Sequence, residues 1–138
     1  MKIILNRLNT ALAFEAVNEE GITATFDANP AIGGEGLGLR PMEMLAASMA
    51  SCASIDVLLI LKKKRITLAH YRVEIQATRV DAVPAVFETI HLQFQIAATD
   101  PIAQVQKAVD LSVEKYCSVS ASLSKAIKIT HSVSIQHT

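Results

Sequence analysis

Tryptophan is absent from this 138-residue chain, and aromatic residues make up only 4% of it. The formal net charge is zero. A surface without a basic excess and with few rings to stack on bases argues against a nucleic-acid partner. Cysteine is also scarce, at two residues. A chain of this size with two cysteines is no disulfide framework of the secreted kind, so the pair points to a reducing compartment and a cytoplasmic location. Gly-x-Ser-x-Gly and His-Glu-x-x-His are both missing, which leaves hydrolase readings without an anchor. The four histidines, His70, His91, His131 and His137, have no metal-ligand spacing. Neither a metal nor a cofactor is expected.

Glycine is sparse too, and four of the five fall between residues 28 and 39, at Gly33, Gly34, Gly36 and Gly38. A glycine-rich loop ahead of a helix can hold phosphate on free N–H groups. Here the spacing fits neither the P-loop nor the dinucleotide fingerprint, so the segment reads as a mobile rim.

What the chain does have is apolar content, 51% of its residues. That suffices for one domain over residues 1–138 with a real core. The stretch from Arg40 to Leu61, closed by Lys62, Lys63, Lys64 and Arg65, predicts one long helix. Pro41 suits its first position, and Glu43 and the terminal cations complement its dipole. Its middle is apolar on nearly every side, so it should be buried all round. Met44 to Leu61 could cross a membrane by length alone, but Asp56, Ser48, Ser51 and Ser54 interrupt it. No membrane partner is expected.

Around this helix the period changes to two. Residues 2–27 predict a three-stranded meander turning at Asn18 to Gly21. Tyr71, Val73, Ile75 and Ala77 mark a strand, and Ile90, Leu92, Phe94 and Ile96 mark the next, with Asp81 to Pro84 as the hairpin link. Asp100 as N-cap and Pro101 at the first position predict a helix carrying the stripe Ile102, Val105, Val109, Val113 and Tyr116. A short second helix after Cys117 and a final strand through Ile127, Ile129, Val133 and Ile135 complete an α+β chain. One sheet covers only one side of the central helix, so a second subunit is the simplest source of the remaining cover.

Two motifs carry the chemistry. Pro41-Met-Glu-Met-Leu-Ala-Ala-Ser-Met-Ala-Ser-Cys52, followed by Asp56-Val57, is one, and Glu114-Lys-Tyr-Cys117-Ser118 is the other, about 65 residues later. Together they resemble the OsmC/Ohr superfamily of osmotically induced and organic-hydroperoxide-resistance proteins, in its small OsmC-like branch. The resemblance implies an OsmC-like fold, with antiparallel sheets packed around a long buried helix in an intertwined homodimer. It implies thiol-dependent reduction of organic hydroperoxides, with Cys52 attacking and Cys117 resolving, and a dithiol reductant (a lipoylated protein in the best-known branch). It also implies an arginine and a glutamate beside the thiol. Arg40 and Arg7 are the candidate arginines, and Glu43 is the candidate carboxylate. In better-known branches the glutamate directly follows the proline; here that position is Met42, and one residue is about 100° of helix rotation.

Read from the residues alone, the attacking thiol stays open. A thiolate is the nucleophile, and Cys52 lies too deep in its helix for the dipole to help. Cys117 would face the free N–H groups of a helix beginning at Ser118. Met49, Ile55 and Leu59, one turn from Cys52, would suit an apolar hydroperoxide. Asp56 and Ser48 share the Cys52 face, and Asp56 reads as the structural partner of a Lys or Arg. The alternative function is an OsmC-like redox or ligand-binding protein without efficient peroxidase activity.

Overall fold

The computed structural model describes residues 1–99 and 101–137. Asp100, the expected N-cap, lies outside them. The chain divides into two compact units, Met1–Leu45 and the part from Ala46 onward.

The first unit holds an antiparallel meander of β1 (Ile3–Arg7), β2 (Phe14–Asn18) and β3 (Thr23–Phe26) in the order β1-β2-β3. Its β2–β3 turn is built by Asn18, whose side-chain oxygen accepts the N–H groups of Glu20 (3.0 Å) and Ile22 (2.8 Å). Gly21 follows at φ +80°, a left-handed conformation that L side chains rarely adopt. The glycine-rich segment is organised around a buried carboxylate. Asp27, 2% exposed, accepts N–H bonds from Ala28 (2.7 Å), Glu35 (2.9 Å) and Leu37 (3.0 Å). The Leu37 N–H is the largest of several amides that hold its carboxyl below the usual range, against the opposing cost of burial. A built-in carboxylate therefore occupies the amides that a phosphate would need. Gly38 is required by close approach, since a Cβ there would sit 2.4 Å from the Thr25 carbonyl oxygen.

Helix α1 (Pro41–Lys63) begins in the first unit and continues through the second. In the second unit it is followed by β4 (Leu68–Arg79), β5 (Phe87–Ala98), α2 (Ile102–Leu111), a π-helical turn (Ser112–Tyr116), α3 (Ser118–Ser122) and β6 (Lys128–His137). The sheet order is β4-β5-β6. Strands β4 and β5 are antiparallel, but β6 runs parallel to β5, so this sheet is mixed rather than wholly antiparallel. The two helices between β5 and β6 supply the crossover that a parallel pair needs.

The register places the expected strand faces together: Val73 opposes Phe94, which opposes Val133. Ile90, Leu92 and Phe94 are fully buried, and Ile96 is 2% exposed. Each such side chain contributes roughly 1.5–3 kcal/mol. The opposite face carries Gln93, Gln95 and His91, whose ring nitrogens pair with Thr130 (2.8 Å) and Ser132 (2.9 Å).

The start of α2 differs from expectation. Pro101 is the N-cap of α2 rather than its first helical residue, and it offers no side-chain cap. Within one chain, Ala46, Met49, Ala50, Ala53, Val57 and Leu61 of α1 are buried, while Ile55, Leu58 and Leu59 are exposed by 56%, 41% and 51%. Its apolar sequence exceeds what one chain covers. By length and composition α1 could cross a membrane, a test that core helices also pass.

Candidate active site: a thiol pair on two helical elements

Within the second unit, Cys52 sits at the middle of α1, half-buried, and Cys117 sits between the π turn and α3 at 3% exposure. Both are free thiols, and they lie near each other, close enough to act on one another electrostatically. The fold thus brings together the two sulfurs that the sequence singled out.

Local backbone explains how Cys117 gets there. Its N–H donates to the Ser112 carbonyl at 2.9 Å, a bond spanning five residues instead of the four of an α-helix. Cys117 then leaves the helical region at φ −63°, ψ 103° and caps α3, its sulfur accepting the Ser120 N–H at 3.4 Å. The expected helix start at Ser118 is present. The thiol itself donates to the Met49 carbonyl of α1 at 3.6 Å.

Electrostatically, burial pushes the Cys117 pKa up; the Ser120 N–H opposes this, and Cys52 beside it adds to the rise. The helix-start advantage expected for Cys117 is real but smaller than the cost of burying a thiolate. No cation is among the groups acting on Cys117.

The other site candidates lie in the first unit. Arg40 caps α1: its carbonyl accepts the Met44 N–H (2.9 Å) and its own N–H donates to Glu43 Oε2 (2.9 Å), a capping-box arrangement. Arg40 Nε also donates to Glu43 Oε1 at 2.8 Å. The backbone N–H and the guanidinium of Arg40 hold the Glu43 carboxyl below its ordinary range. Arg40 and Glu43 are therefore brought together as a pair. Arg7 turns its guanidinium onto the carbonyls of Thr10 and Ala11 in its own loop.

Among the flanking residues, Met49 is fully buried in the core, whereas Ile55 and Leu59 are exposed. Among the described residues Asp56 makes no ion pair. Its neighbours three and four positions away are Ala53, Leu59, Cys52 and Ile60, so no cation shares its turn. No group of three potential metal ligands occurs among the described residues.

Ser112 went unrecognised in the sequence. It is fully buried, and its hydroxyl donates to the Ala53 carbonyl at 2.7 Å. The available signal was its place seven residues after Val105 on an otherwise apolar stripe, where a buried hydroxyl needs a partner.

Residues 34–132 match the family described as OsmC-like protein. The chain belongs to the OsmC-like protein family. It is 42% identical over 96 residues to Protein YhfA of Escherichia coli K12, covering 69% of this chain and 72% of that one. A crystal structure of a hypothetical protein from Aquifex aeolicus VF5 superposes with a TM-score of 0.78 at 31% identity, over 98% of this chain and 96% of that one. The organic hydroperoxide resistance protein OhrB of Bacillus subtilis shares the fold, with a TM-score of 0.62 at 16% identity over 97% and 98% of the two chains. The α+β OsmC-like architecture expected from the two cysteine motifs is thus the one this family has.

Proposed function

We propose that this OsmC-like protein reduces organic hydroperoxides through Cys52 and Cys117. The observation that carries the reading is the pair itself, two free sulfurs near each other, one partly exposed and one buried. The organic hydroperoxide resistance of the Bacillus subtilis relative supports the choice of substrate class. The partly exposed Cys52 attacks as thiolate, its sulfur bonding one peroxide oxygen as the O–O bond breaks. The alkoxide takes a proton and leaves as alcohol, and Cys52 becomes a sulfenic acid. The Cys117 sulfur then attacks the Cys52 sulfur; hydroxide leaves, takes the Cys117 proton and departs as water. A dithiol reduces the resulting disulfide by exchange and is itself oxidised. Arg40, held by Glu43, is the candidate cation for the first step, with Arg7 as the other arginine to test.

The same reading has the protein act as a homodimer. Support comes from the apolar residues that one chain leaves exposed on α1 (Ile55, Leu58, Leu59) and on β1 (Ile3, Ile4, Leu5).

Steady-state turnover tests the activity directly. With dihydrolipoamide as reductant, cumene hydroperoxide should be consumed catalytically, and Cys52→Ser should abolish it. Consumption no faster than with dihydrolipoamide alone would defeat the proposal. A second reading, a redox protein that cycles between dithiol and disulfide with slow peroxide turnover, is favoured by one observation: no cation is among the groups acting on Cys117, whose pKa is raised.

A further inference from the structure

Ser112 uses every polar group it has, and each one touches the geometry of the thiol pair. Its N–H donates to the carbonyls of Ala108 and Val109, closing α2. Its carbonyl accepts the Cys117 N–H at 2.9 Å, closing the π turn. Its hydroxyl donates at 2.7 Å to the carbonyl of Ala53, the residue directly after Cys52 in α1. One buried residue thus bonds the backbone of the segment carrying Cys117 to the backbone of the segment carrying Cys52.

Without such a tie the sulfurs would be kept adjacent by apolar packing, which is non-directional, and by the long 3.6 Å bond from the Cys117 thiol to the Met49 carbonyl. A hydrogen bond at 2.7 Å in a fully buried setting fixes both distance and direction. The π turn adds to this. One extra residue per turn re-aims whatever follows it, and such turns cluster at functional sites. The residue that opens this π turn is also the one hydrogen-bonded across to α1.

We propose that Ser112 is a positioning residue for the thiol pair, holding Cys117 where its sulfur can reach the Cys52 sulfur. The hydroxyl acts on the closure of the disulfide, not on the first oxidation of Cys52. The inference rests on the reading of Cys52 and Cys117 as a working redox pair. It does not require that the oxidant be a peroxide.

The test separates those two claims. The reduced protein is given oxidised glutathione, which forms a mixed disulfide at Cys52 as one glutathione thiolate leaves. Cys117 then attacks the Cys52 sulfur and expels the second glutathione, and the rate of that closure is followed by rapid acid quench and mass. In Ser112→Ala, closure should slow at least ten-fold and the mixed disulfide should accumulate, while its formation changes less than two-fold. Ser112→Thr, which keeps the hydroxyl, should restore closure to within about three-fold of wild type. Val105→Ala supplies the control, because Val105 is fully buried on the same helix and has no bond to α1 through a hydroxyl. It should lower the melting temperature and leave the closure rate unchanged. Wild-type closure speed in Ser112→Ala, or equal slowing in Val105→Ala, would overturn the proposal. A parallel run with cumene hydroperoxide distinguishes the two failures. If peroxide does not oxidise the wild-type pair but the glutathione pattern holds, the peroxidase reading falls and Ser112 keeps its role.

Discussion

Cys52 occupies the middle of an unbroken 23-residue α-helix and is partly exposed, whereas Cys117 sits between a π turn and a five-residue helix at 3% exposure. The first setting is regular and open on one side. The second is irregular, dry and wired by hydrogen bonds to Ser112, Ser120 and Met49. A thiol that meets an incoming substrate needs access. A thiol that reacts only with its neighbour needs a fixed position and gains from exclusion of competing oxidants. The contrast supports the proposed division of roles, in which Cys52 attacks and Cys117 resolves, a choice that the electrostatics of the sequence left open.

The contrast breaks most visibly by removing either sulfur. Cys52→Ser should lower single-turnover oxidation by cumene hydroperoxide by about a hundred-fold or more, because the remaining thiol is buried and protonated. Cys117→Ser should leave the first step within a few-fold of wild type and stop at a sulfenic acid, which dimedone traps and mass spectrometry counts. Oxidation that survives Cys52→Ser but not Cys117→Ser would exchange the two roles.

pH sharpens the difference. Burial raises the Cys117 pKa, so the rate of disulfide closure should climb about ten-fold per pH unit up to at least pH 9. A plateau below pH 8 would contradict the burial argument. Stability carries the same sign. A thiol whose folded pKa lies above its unfolded value of about 8.5 stabilises the fold fully below that pH. That contribution is lost as pH rises through the folded pKa. Urea midpoints at pH 7 and pH 10 should therefore differ more for wild type than for Cys117→Ala.

The smallest structural effect belongs to the start of α1. Glu43→Gln loses an exposed ion pair and part of a cap, and exposed pairs contribute little. Its melting temperature should stay within a few degrees of wild type. A large loss of peroxide reactivity in a protein that stable would show that Glu43 serves the chemistry through Arg40. An unchanged rate would leave the pair as a helix cap alone.

Much of this was readable from the residues. The period of two through Ile90, Leu92, Phe94 and Ile96 marks a strand with one buried face, and that face is buried. Pro41 and Glu43 mark a helix start, and Glu43 caps it. The two cysteine motifs pointed to a pair, and the fold joins them. Three things were not readable, each for a physical reason. The π turn depends on one backbone bond, from Cys117 to Ser112, that no residue type specifies. The direction of β6 depends on how the chain crosses over, not on its alternation of side chains. What covers the outer half of α1 could not be named, because Ile55, Leu58 and Leu59 read as core residues whatever covers them. The organiser of the glycine-rich segment was hidden for a related reason: Asp27 precedes the run of glycines and carries no loop signature of its own.

Single-turnover oxidation of the reduced protein by cumene hydroperoxide, followed by thiol counting, tests the division of labour most directly. The account predicts that one equivalent of peroxide removes both thiols of each chain, much faster than it oxidises a free thiol, and yields a disulfide between Cys52 and Cys117. Oxidation at the rate of a free thiol, or loss of one thiol without a disulfide, would contradict it.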